Sequence, residues 1–334
     1  MKIIWFKRGK KSMNKKCDFS FIITAYNVET FLEKCVDGIL KQLDDKFNFE
    51  IIISDNMSKD KTREIANRLV STHSNIRVIT SKPQGPSAAR NRGIEVALGK
   101  YIVFIDADDY IDENICSVFE NVLRNDDVDV FQCAIKIHTK DKKTNTEELF
   151  KNFKTEKMNS KEFISNLPLV NCFNGCYLKI VRKDFIVQNE LWFDEKYFLS
   201  EDMQWSIKVW NKANKIMAIP TAYYNYIIYN AGSITNSIKF DKAMQGLNAS
   251  KDTFDWLDKN VEDDAVVKKC KKYVTFGTCS VLRKCKNMTV QEIKEIDKFL
   301  KQNKNLLKFA PALKCKLFLM VRNLFGLKFA LKFV

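Results

Sequence analysis

Four short runs of apolar residues alternate with longer stretches in which apolar residues recur at helical spacing. Runs that are apolar at nearly every position predict strands buried on both faces, as in a parallel sheet. Strands that alternate with helices in this way predict right-handed βαβ units, so the fold class is α/β. The predicted strands are Phe19–Ala25, Phe49–Ile53, Ile76–Ile79 and Tyr101–Ile105, followed by a fifth at Val128–Ile137.

Polar residues follow three of these strands, at Tyr26–Asn27, Asp55–Asn56 and Asp106–Asp109. The carboxyl ends of parallel strands share one sheet edge, where open α/β sheets bind ligands. Asp106 and Asp108 stand one residue apart, and hard divalent cations prefer oxygen ligands. A lone Asp-x-Asp pair is more simply explained as an acidic turn, but the convergence of three polar groups favours a ligand site. Neither a Gly-x-Gly-x-x-Gly nor a P-loop motif occurs, so neither supports nucleotide binding.

The pattern changes after the fifth strand. Residues 138–160 are polar and lysine-rich, which predicts a surface loop or a disordered insert. Further on, Ser200 is a plausible N-cap for a helix whose first turn holds Glu201 and Asp202, and acidic side chains there suit the helix dipole. From residue 241 the pattern is helical, with helices predicted at roughly 241–258, 264–286, 290–302 and 311–332.

The formal charge of +15 is concentrated at the two ends of the chain. Residues 1–16 carry seven basic and no acidic residues, and residues 241–334 carry twenty basic and ten acidic residues. Residues 17–240 therefore have a net charge of −2. Nucleic-acid-binding proteins concentrate positive charge around their site, and no recognition motif occurs here, so we expect no nucleic-acid partner. Basic ends suit an anionic membrane surface or a solvated tail.

Two alternatives are open for the last predicted helix. Its basic and aromatic residues are typical of a helix that lies in a membrane interface. Lys314 and Lys316 fall on nearly opposite sides of the helix and Gly326 interrupts it, which favours a helix packed on the rest of the protein. The ten cysteines show no regular framework and no secretion signal precedes them, so we expect reduced thiols in a cytoplasmic protein, peripheral on the inner face of the plasma membrane if the basic ends bind lipid.

Five motifs follow one another along the chain: IITAYN (Ile22–Asn27), EIIISDNMSKD (Glu50–Asp60), GPSAARNRG (Gly85–Gly93), DADD (Asp106–Asp109) and ED (Glu201–Asp202). In their order and spacing, these motifs resemble those of the family 2 glycosyltransferases of GT-A fold. The resemblance covers about residues 18–236 and is greatest to bacterial members that build capsule, lipopolysaccharide or other surface polysaccharides. The family often has Pro where Thr24 stands, and Asp and Gly where Asn56 and Met57 stand.

The resemblance implies a nucleotide-diphospho-sugar transferase fold with a mostly parallel central sheet flanked by helices, plus a C-terminal helical extension. We therefore expect a basic tail at 1–16, a GT-A domain at 17–240 and a basic helical extension at 241–334 that associates with a membrane or packs on the domain. Within the GT-A domain, 17–137 is expected to form the donor-binding half and 161–240 the acceptor half.

The resemblance also implies an activity. The expected reaction is an inverting transfer of a sugar from a UDP-sugar to a hydroxyl of a glycan or lipid-linked acceptor, in the synthesis of a bacterial surface polysaccharide. Asp202 is expected to be the general base, and Glu201 is expected to orient or bind the acceptor. Gly232–Thr235 is expected to be a flexible lid. A non-catalytic homologue is the alternative, which the joint presence of Asp55, Asp106, Asp108 and Asp202 disfavours.

The donor site follows from the same resemblance. Asp55 is expected to accept a hydrogen bond from a uracil N–H. Asp106 is expected to lie beside the ribose and the metal, and Asp108 to hold Mn²⁺ or Mg²⁺. Arg90 is expected to add positive charge or to hold the loop of aspartates. The remaining donor-binding residues are expected to be Thr24, Ala25, Tyr26, Asn27 and Ala107.

Overall fold

In the part of the chain that the structure describes, the fold is built on a ten-stranded sheet. The computed structural model describes residues 17–43, 46–140, 142–150, 153, 155–168, 175–228, 238–310 and 313–331. The strands are β1 (Phe19–Ala25), β2 (Phe49–Asp55), β3 (Ile76–Thr80), β4 (Tyr101–Asp106), β5 (Tyr110–Ile111), β6 (Val130–His138), β7 (Lys143–Asn145), β8 (Lys157–Met158), β9 (Lys179–Arg182) and β10 (Ile216–Ile227).

The sheet is parallel over its first four strands and mixed beyond them. Its order is β3-β2-β1-β4-β9-β6-β10-β5, with β7 paired to β6 and β8 paired to β10. Strand β9 runs antiparallel to both β4 and β6, whereas β6 and β10 are parallel to each other. Ala25 is in register with Asp55, and Thr24 with Asp106, so the carboxyl ends of β1, β2 and β4 lie level at one edge.

Helices flank the sheet and continue beyond it as a helical extension. In α1 the buried residues recur every three or four positions, which is the spacing that turns one helical face towards a sheet. The helices are α1 (Leu32–Leu43), α2 (Thr62–Thr72), α3 (Pro86–Val96), α4 (Ile115–Arg124), α5 (Ser160–Asn166), α6 (Lys183–Gln188), α7 (Glu201–Lys212), α8 (Phe240–Asn260), α9 (Asp264–Arg283), α10 (Val290–Gln302), α11 (Asn305–Lys308), α12 (Leu313–Phe325) and α13 (Leu327–Ala330).

Both faces of the parallel strands are buried, as their apolar runs predict. Ile22 of β1 packs into one hydrophobic core, and its neighbours Phe21 and Ile23 pack into the core on the opposite face. Successive side chains of a strand point to opposite faces, so a strand covered on both sides has to be apolar throughout. The predicted α/β class and the five predicted strands are confirmed, with small differences at their ends.

The expectation of a surface loop or disordered insert at 138–160 is wrong for several of its residues. Phe150 and Phe153 are buried with ring centroids 5.6 Å apart, and Met158 is also buried. Strand β7 extends the sheet beside β6. Phe150, Phe153 and Met158 are scattered among lysines without the spacing of a helix or a strand. The sequence pattern therefore does not reveal that they join the core.

The helical extension packs on the sheet domain. The Trp210 and Tyr273 rings, from α7 and α9, have centroids 5.9 Å apart and share one core. In α12, Phe318 is buried and the Arg322 Nη2 lies 2.8 Å from an Asp297 oxygen of α10. Gly326, with φ 81°, separates α12 from α13, so the single helix predicted at 311–332 is divided. Among the described residues, no helix combines the length and the apolar character needed to cross a membrane.

Candidate active site

The carboxyl ends of the first, second and fourth strands are joined by hydrogen bonds. The Thr24 hydroxyl donates to Oδ1 of Asp106 at 3.0 Å. The backbone N–H of Asn56 donates to the Ala25 carbonyl at 2.8 Å. The structure therefore brings three of the predicted motifs together at one edge of the sheet, as their positions at strand ends predict.

The loops after β1 and β2 hold each other through Ser58. The Asn27 N–H donates to the Ser58 hydroxyl, and the Ser58 N–H donates to Asp55 Oδ1, both at 3.1 Å. Asn27 has φ 53°, in the left-handed region that Asn tolerates, and its Oδ1 accepts a bond from the Lys59 N–H. Tyr26 stays 40% exposed beside this pair of loops. An exposed aromatic ring at the rim of a polar edge is suited to stack on a flat ligand.

Not every predicted donor residue presents its side chain at this edge. Ala25 and Ala107 are 1% and 2% exposed and pack into the hydrophobic core. Only their backbone atoms can contact a ligand. Asp55 is nearly buried, and the Arg63 Nη1 lies 3.5 Å from its Oδ2. The Asp55 carboxylate therefore has the Arg63 guanidinium at Oδ2 and the Ser58 backbone N–H at Oδ1.

Arg90 links the aspartates of β4 to the acidic pair of α7. Its side chain is 5% exposed and lies over the Phe193 ring, 5.3 Å from the ring centroid. Nη1 donates to Glu201 Oε1 at 2.9 Å, and Nη2 donates to Asp106 Oδ1 at 3.2 Å. The planar guanidinium suits two carboxylates in different directions, which an ammonium group does less well. Arg90 therefore joins two motifs that are far apart in the sequence.

Helix α7 begins with the acidic pair, and Glu201 is buried. The Asp202 Oδ1 accepts a bond from the Met203 N–H at 2.7 Å. Burial raises the pKa of Asp202, and the nearby Arg90 charge opposes that rise. Burial and the Asp202 charge raise the pKa of Glu201 to about 7, again against Arg90. Both carboxyl groups are therefore easier to protonate than ordinary surface carboxyls.

Ser200 is the N-cap residue of α7, as expected, but its side chain does not cap the helix. Ser200 stands at the N-cap position with φ 69°, and its hydroxyl makes no capping bond. Its carbonyl accepts the Gln204 N–H at 3.1 Å, so the residue begins the helix through its backbone. The left-handed conformation is uncommon for a residue other than glycine and is found most often at turns and functional sites.

Asp109 and Tyr224 form a connection that sequence reasoning missed. The Tyr224 hydroxyl donates to Asp109 Oδ2 at 2.7 Å and accepts the Asp106 N–H at 3.1 Å. The Ile227 N–H donates to Asp109 Oδ1 at 2.8 Å. Asp109 thereby fixes the end of β10 against the loop of aspartates. The aromatic run in β10 is visible in the sequence, but nothing local indicates which ring reaches this loop.

Asn56 organises the loop that precedes α3. Its amide nitrogen donates to the Ser81 hydroxyl at 2.7 Å and to the Pro83 carbonyl at 3.2 Å, and its oxygen accepts the Gly85 N–H. Gly85 has φ 145°, and a Cβ there would lie 3.1 Å from the Phe198 ring. The sequence placed Asn56 at the polar end of β2 and marked it as a departure from the family pattern, but did not predict these bonds. Its amide has a structural role that a carboxylate lacks, because a carboxylate donates no hydrogen bond.

The oxygens at the end of β4 fit a divalent cation. Asp106 Oδ1 accepts the bonds from Thr24 and Arg90, and Oδ2 makes no hydrogen bond with the described residues. Asp108 is partly exposed in the same loop. In the described part of the chain, no group of three or more His, Cys, Asp or Glu side chains could hold a metal. Two carboxylates fit Mg²⁺-like cations, which commonly bind one or two carboxylates together with substrate phosphates.

The expected lid at Gly232–Thr235 lies outside the described residues. Within the described residues, the candidate site therefore consists of the ends of β1, β2 and β4, the Arg90 side chain and the start of α7.

Comparisons with known proteins identify the family and the fold of this chain. Residues 20–186 match the family described as Glycosyl transferase family 2. The chain is 28% identical over 208 residues to the uncharacterized glycosyltransferase EpsJ of Bacillus subtilis, which covers 62% of this chain and 60% of EpsJ. It is 29% identical over 252 residues to the minor teichoic acid biosynthesis protein GgaB of the same organism, covering 74% of this chain and 26% of GgaB. The chain thus spans less than two thirds of either relative.

Solved structures extend the likeness beyond the matched segment. The crystal structure of Staphylococcus aureus TarS residues 1–349 in complex with UDP-GlcNAc superposes with a TM-score of 0.69 at 18% identity. The match covers 95% of this chain and 90% of that one, so it includes the C-terminal helices. This likeness confirms the GT-A fold that the motifs implied. Since the family match spans half of the chain, this protein belongs to glycosyl transferase family 2.

Proposed function

We propose that this protein is an inverting glycosyltransferase that moves a sugar from a UDP-sugar to a hydroxyl of a glycan or lipid-linked acceptor. The observation that carries the proposal is the Arg90 bridge. A single buried cation contacts Asp106, beside the aspartates of β4, and Glu201, beside Asp202. A donor held at Asp106 and an acceptor held at the start of α7 would therefore meet in one place, which the transfer requires.

The donor is proposed to lie along the ends of β1, β2 and β4. Asp55, held by the Ser58 N–H, accepts the uracil N–H. Thr24, Tyr26 and Asn27 line the base and ribose, and Ala25 and Ala107 contribute backbone atoms because their side chains are buried. Asp106 contacts the ribose. The UDP-GlcNAc complex of TarS, which has the same fold, supports a nucleotide-sugar as the donor.

The chemistry is proposed to depend on Asp202. Its carboxylate takes the proton from the acceptor hydroxyl as that oxygen attacks the anomeric carbon opposite the leaving diphosphate. A single displacement of this kind inverts the anomeric configuration. The raised pKa of Asp202 suits the role, because a general base works best when its pKa approaches the working pH. Glu201 orients the acceptor while it pairs with Arg90.

Asp106 and Asp108 are proposed to hold a divalent cation, Mn²⁺ or Mg²⁺. When bound, such a cation acts as a Lewis acid that offsets the negative charge growing on the leaving diphosphate. Thr24 and Arg90 hold Asp106 in position through its Oδ1. Asp109 holds the same loop from the other side, through the Tyr224 hydroxyl.

The biological setting is proposed to be the synthesis of a bacterial surface polysaccharide. The likeness to GgaB, a minor teichoic acid biosynthesis protein, supports this class of product. Residues 17–137 form the donor-binding half in this proposal and 161–240 the acceptor half, followed by the extension at 241–334. The sharing of one core between α7 and α9 supports an extension that is part of the working enzyme.

We further propose that the extension associates with the inner face of the plasma membrane while it packs on the domain. Phe318 and Arg322 face the protein, whereas Leu317 and Met320 of the same helix are 48% and 53% exposed. Exposed apolar residues on a basic helix suit an anionic lipid surface. The two alternatives left open by the sequence are thus compatible.

A donor screen tests the proposed function. The purified chain is incubated with UDP- and GDP-sugars, with and without Mn²⁺, and the released nucleotide is measured. Metal-dependent release of UDP from one sugar is the expected result. No release from any donor, with UDP binding intact, would instead indicate a non-catalytic homologue. Calorimetry of Asp108→Ala checks the metal: this variant is expected to bind UDP equally with and without Mn²⁺, whereas Asp126→Ala, at an exposed site, keeps the metal dependence.

A further inference from the structure

A second cleft lies outside the edge of the sheet, in the helical extension. It has a volume of about 670 Å³ and opens between the start of α8, the end of α9 and the start of α10. We name it the basic cleft, because Lys239, Arg283, Lys284 and Lys286 line it together with Asp241 and Glu292. None of the residues that line this cleft has a proposed role in the sugar transfer.

Among the described residues, the basic side chains of this cleft have no ion-pair partner. No carboxylate in the described part of the chain lies within 4.0 Å of Lys239, Arg283, Lys284 or Lys286. Elsewhere in the extension, Lys271 is paired with Asp258 at 2.5 Å. Clustered cations without partners repel one another, so an anion that enters the cleft gains from all of them.

The two acids of the cleft are already engaged or exposed. Glu292 accepts the N–H and the hydroxyl of Thr289, at 2.7 and 2.8 Å, in the capping box of α10. Asp241 is exposed in the first turn of α8, where an acidic side chain complements the helix dipole. Both acids keep their negative charge, so four basic and two acidic residues leave the lining of the cleft with a net charge of +2.

Helix α9, whose end forms part of the cleft, also passes the start of α7. A Cβ on Gly277 of α9 would lie 2.6 Å from the Met203 sulfur, so α9 passes very close to the residue that follows Asp202. Lys284 is seven positions beyond Gly277, on the same face and ~10 Å further along α9. Burial lowers the pKa of Lys284, and the Asp202 charge opposes this effect, in agreement with their proximity.

We propose that the basic cleft binds a phosphate group carried by the acceptor. The acceptor is then a phosphate-bearing chain, such as a polyol phosphate polymer, with a phosphate in the cleft while a hydroxyl elsewhere on the chain reaches Asp202. This inference rests on the proposed function, since it names the substrate class of the same site. Phosphodiester oxygens form charge-assisted hydrogen bonds with guanidinium and ammonium groups, and these are stronger than bonds between neutral groups.

Binding of a defined probe tests the cleft without any transfer reaction. The probe is a short oligomer of glycerol phosphate, titrated into the full chain in a calorimeter, with glycerol as the uncharged comparison. The double variant Arg283→Gln/Lys286→Gln is expected to bind the oligomer about tenfold more weakly, because two charge-assisted bonds are lost. The matched control Lys294→Gln/Lys298→Gln removes the same charge from exposed positions of α10 and is expected to bind as the unaltered protein does.

Three outcomes would overturn the inference. In the first, the oligomer binds the cleft variant as tightly as it binds the unaltered protein. In the second, the control variant loses as much affinity for the oligomer as the cleft variant does. In the third, the cleft variant loses binding to phosphatidylglycerol vesicles but not to the oligomer, which would assign the phosphate to a lipid. UDP binding is measured in parallel and is expected to be the same in all variants. Failure of the proposed function would appear separately, as absence of UDP-sugar turnover while oligomer binding persists.

Discussion

The Arg90 guanidinium donates to Glu201 across 111 positions of sequence, with 2.9 Å between Nη1 and Oε1. The other terminal nitrogen donates to Asp106. The buried Arg90 side chain thus fixes the position of the end of β4 relative to the start of α7. Removal of one partner from a buried ion pair leaves an uncompensated charge, so the guanidinium cannot be lost without an effect on both carboxylates.

Arg90→Lys is expected to fold but to transfer sugar at least about tenfold more slowly, because an ammonium group cannot reproduce the two-directional fork. The measurement is kcat and KM with the donor found in the screen, together with the melting temperature. Arg92→Lys is the matched control, since Arg92 is exposed and pairs with Glu95, three positions further along the same helix. Equal activity of the Arg90 variant and the control would show that the bridge has no part in catalysis.

The pH dependence of transfer follows from the raised pKa of Asp202. A general base acts only when it is deprotonated, so kcat/KM is expected to rise with pH through a pKa above that of an ordinary aspartate. Arg90 lowers the pKa of Asp202, so Arg90→Gln is expected to move this acid limb to higher pH. The check is kcat/KM between pH 5 and 9 at constant metal concentration. A limb at the same pH in both proteins would contradict this electrostatic link.

Asp202→Asn keeps the shape of the side chain but removes its basicity. Transfer is expected to fall by about 10²-fold or more, the usual scale for a lost general base, while UDP binding stays the same. Single-turnover kinetics and calorimetry separate the two effects. Asp194→Asn, at a partly exposed acid outside the proposed site, serves as the control. Near-normal turnover in Asp202→Asn would remove this residue from its proposed role.

Much of the fold follows from local pattern. Strand β1 has the bounds that its apolar run predicts, and α10 also begins and ends where predicted, at Val290 and Gln302. Fully apolar runs and regular helical periods are properties of neighbouring residues, so one segment contains the whole signal. The polar strand ends could likewise be placed at one edge, because parallel strands share their direction.

The remaining features depend on contacts between distant segments. Strand β9 is inserted antiparallel between β4 and β6, and its four residues carry no sign of their partners. Tyr224 reaches Asp109 across 115 positions of sequence. Phe150 and Phe153 stand in a lysine-rich stretch, and only the folded core gives them partners. Sequence patterns predict which residues are buried together within an element but not which elements meet.

Asn56→Asp tests the loop that leads to Arg90. The substitution introduces the residue that the family often has here, yet it removes the amide that donates to Ser81 and Pro83. The free energy of unfolding is expected to fall by about 1–3 kcal/mol, because buried acceptors lose their donor. Urea unfolding at neutral pH measures the change, with Asn305→Asp at an exposed position as the control. No change would show that the loop is held without the amide.

The exposed face of α12 tests the proposed membrane association. Leu317 and Met320 are three positions apart, on a helix whose Phe318 is buried, so Leu317→Ser/Met320→Ser leaves the packed face intact. Each apolar side chain that leaves water for the lipid interface contributes roughly 1 kcal/mol, so binding to phosphatidylglycerol vesicles is expected to weaken about tenfold or more.

Co-sedimentation of the full chain with these vesicles measures this binding, and its decrease in high salt would reveal the share of the basic residues. The control is Leu98→Ser/Val187→Ser, which removes exposed apolar residues from the sheet domain. Because Leu98 and Val187 are 61% and 45% exposed, the two double variants remove comparable apolar surface. If both weaken binding equally, attachment is not a property of α12. If neither does, α12 contacts only protein, and any anionic lipid binding belongs to other basic residues.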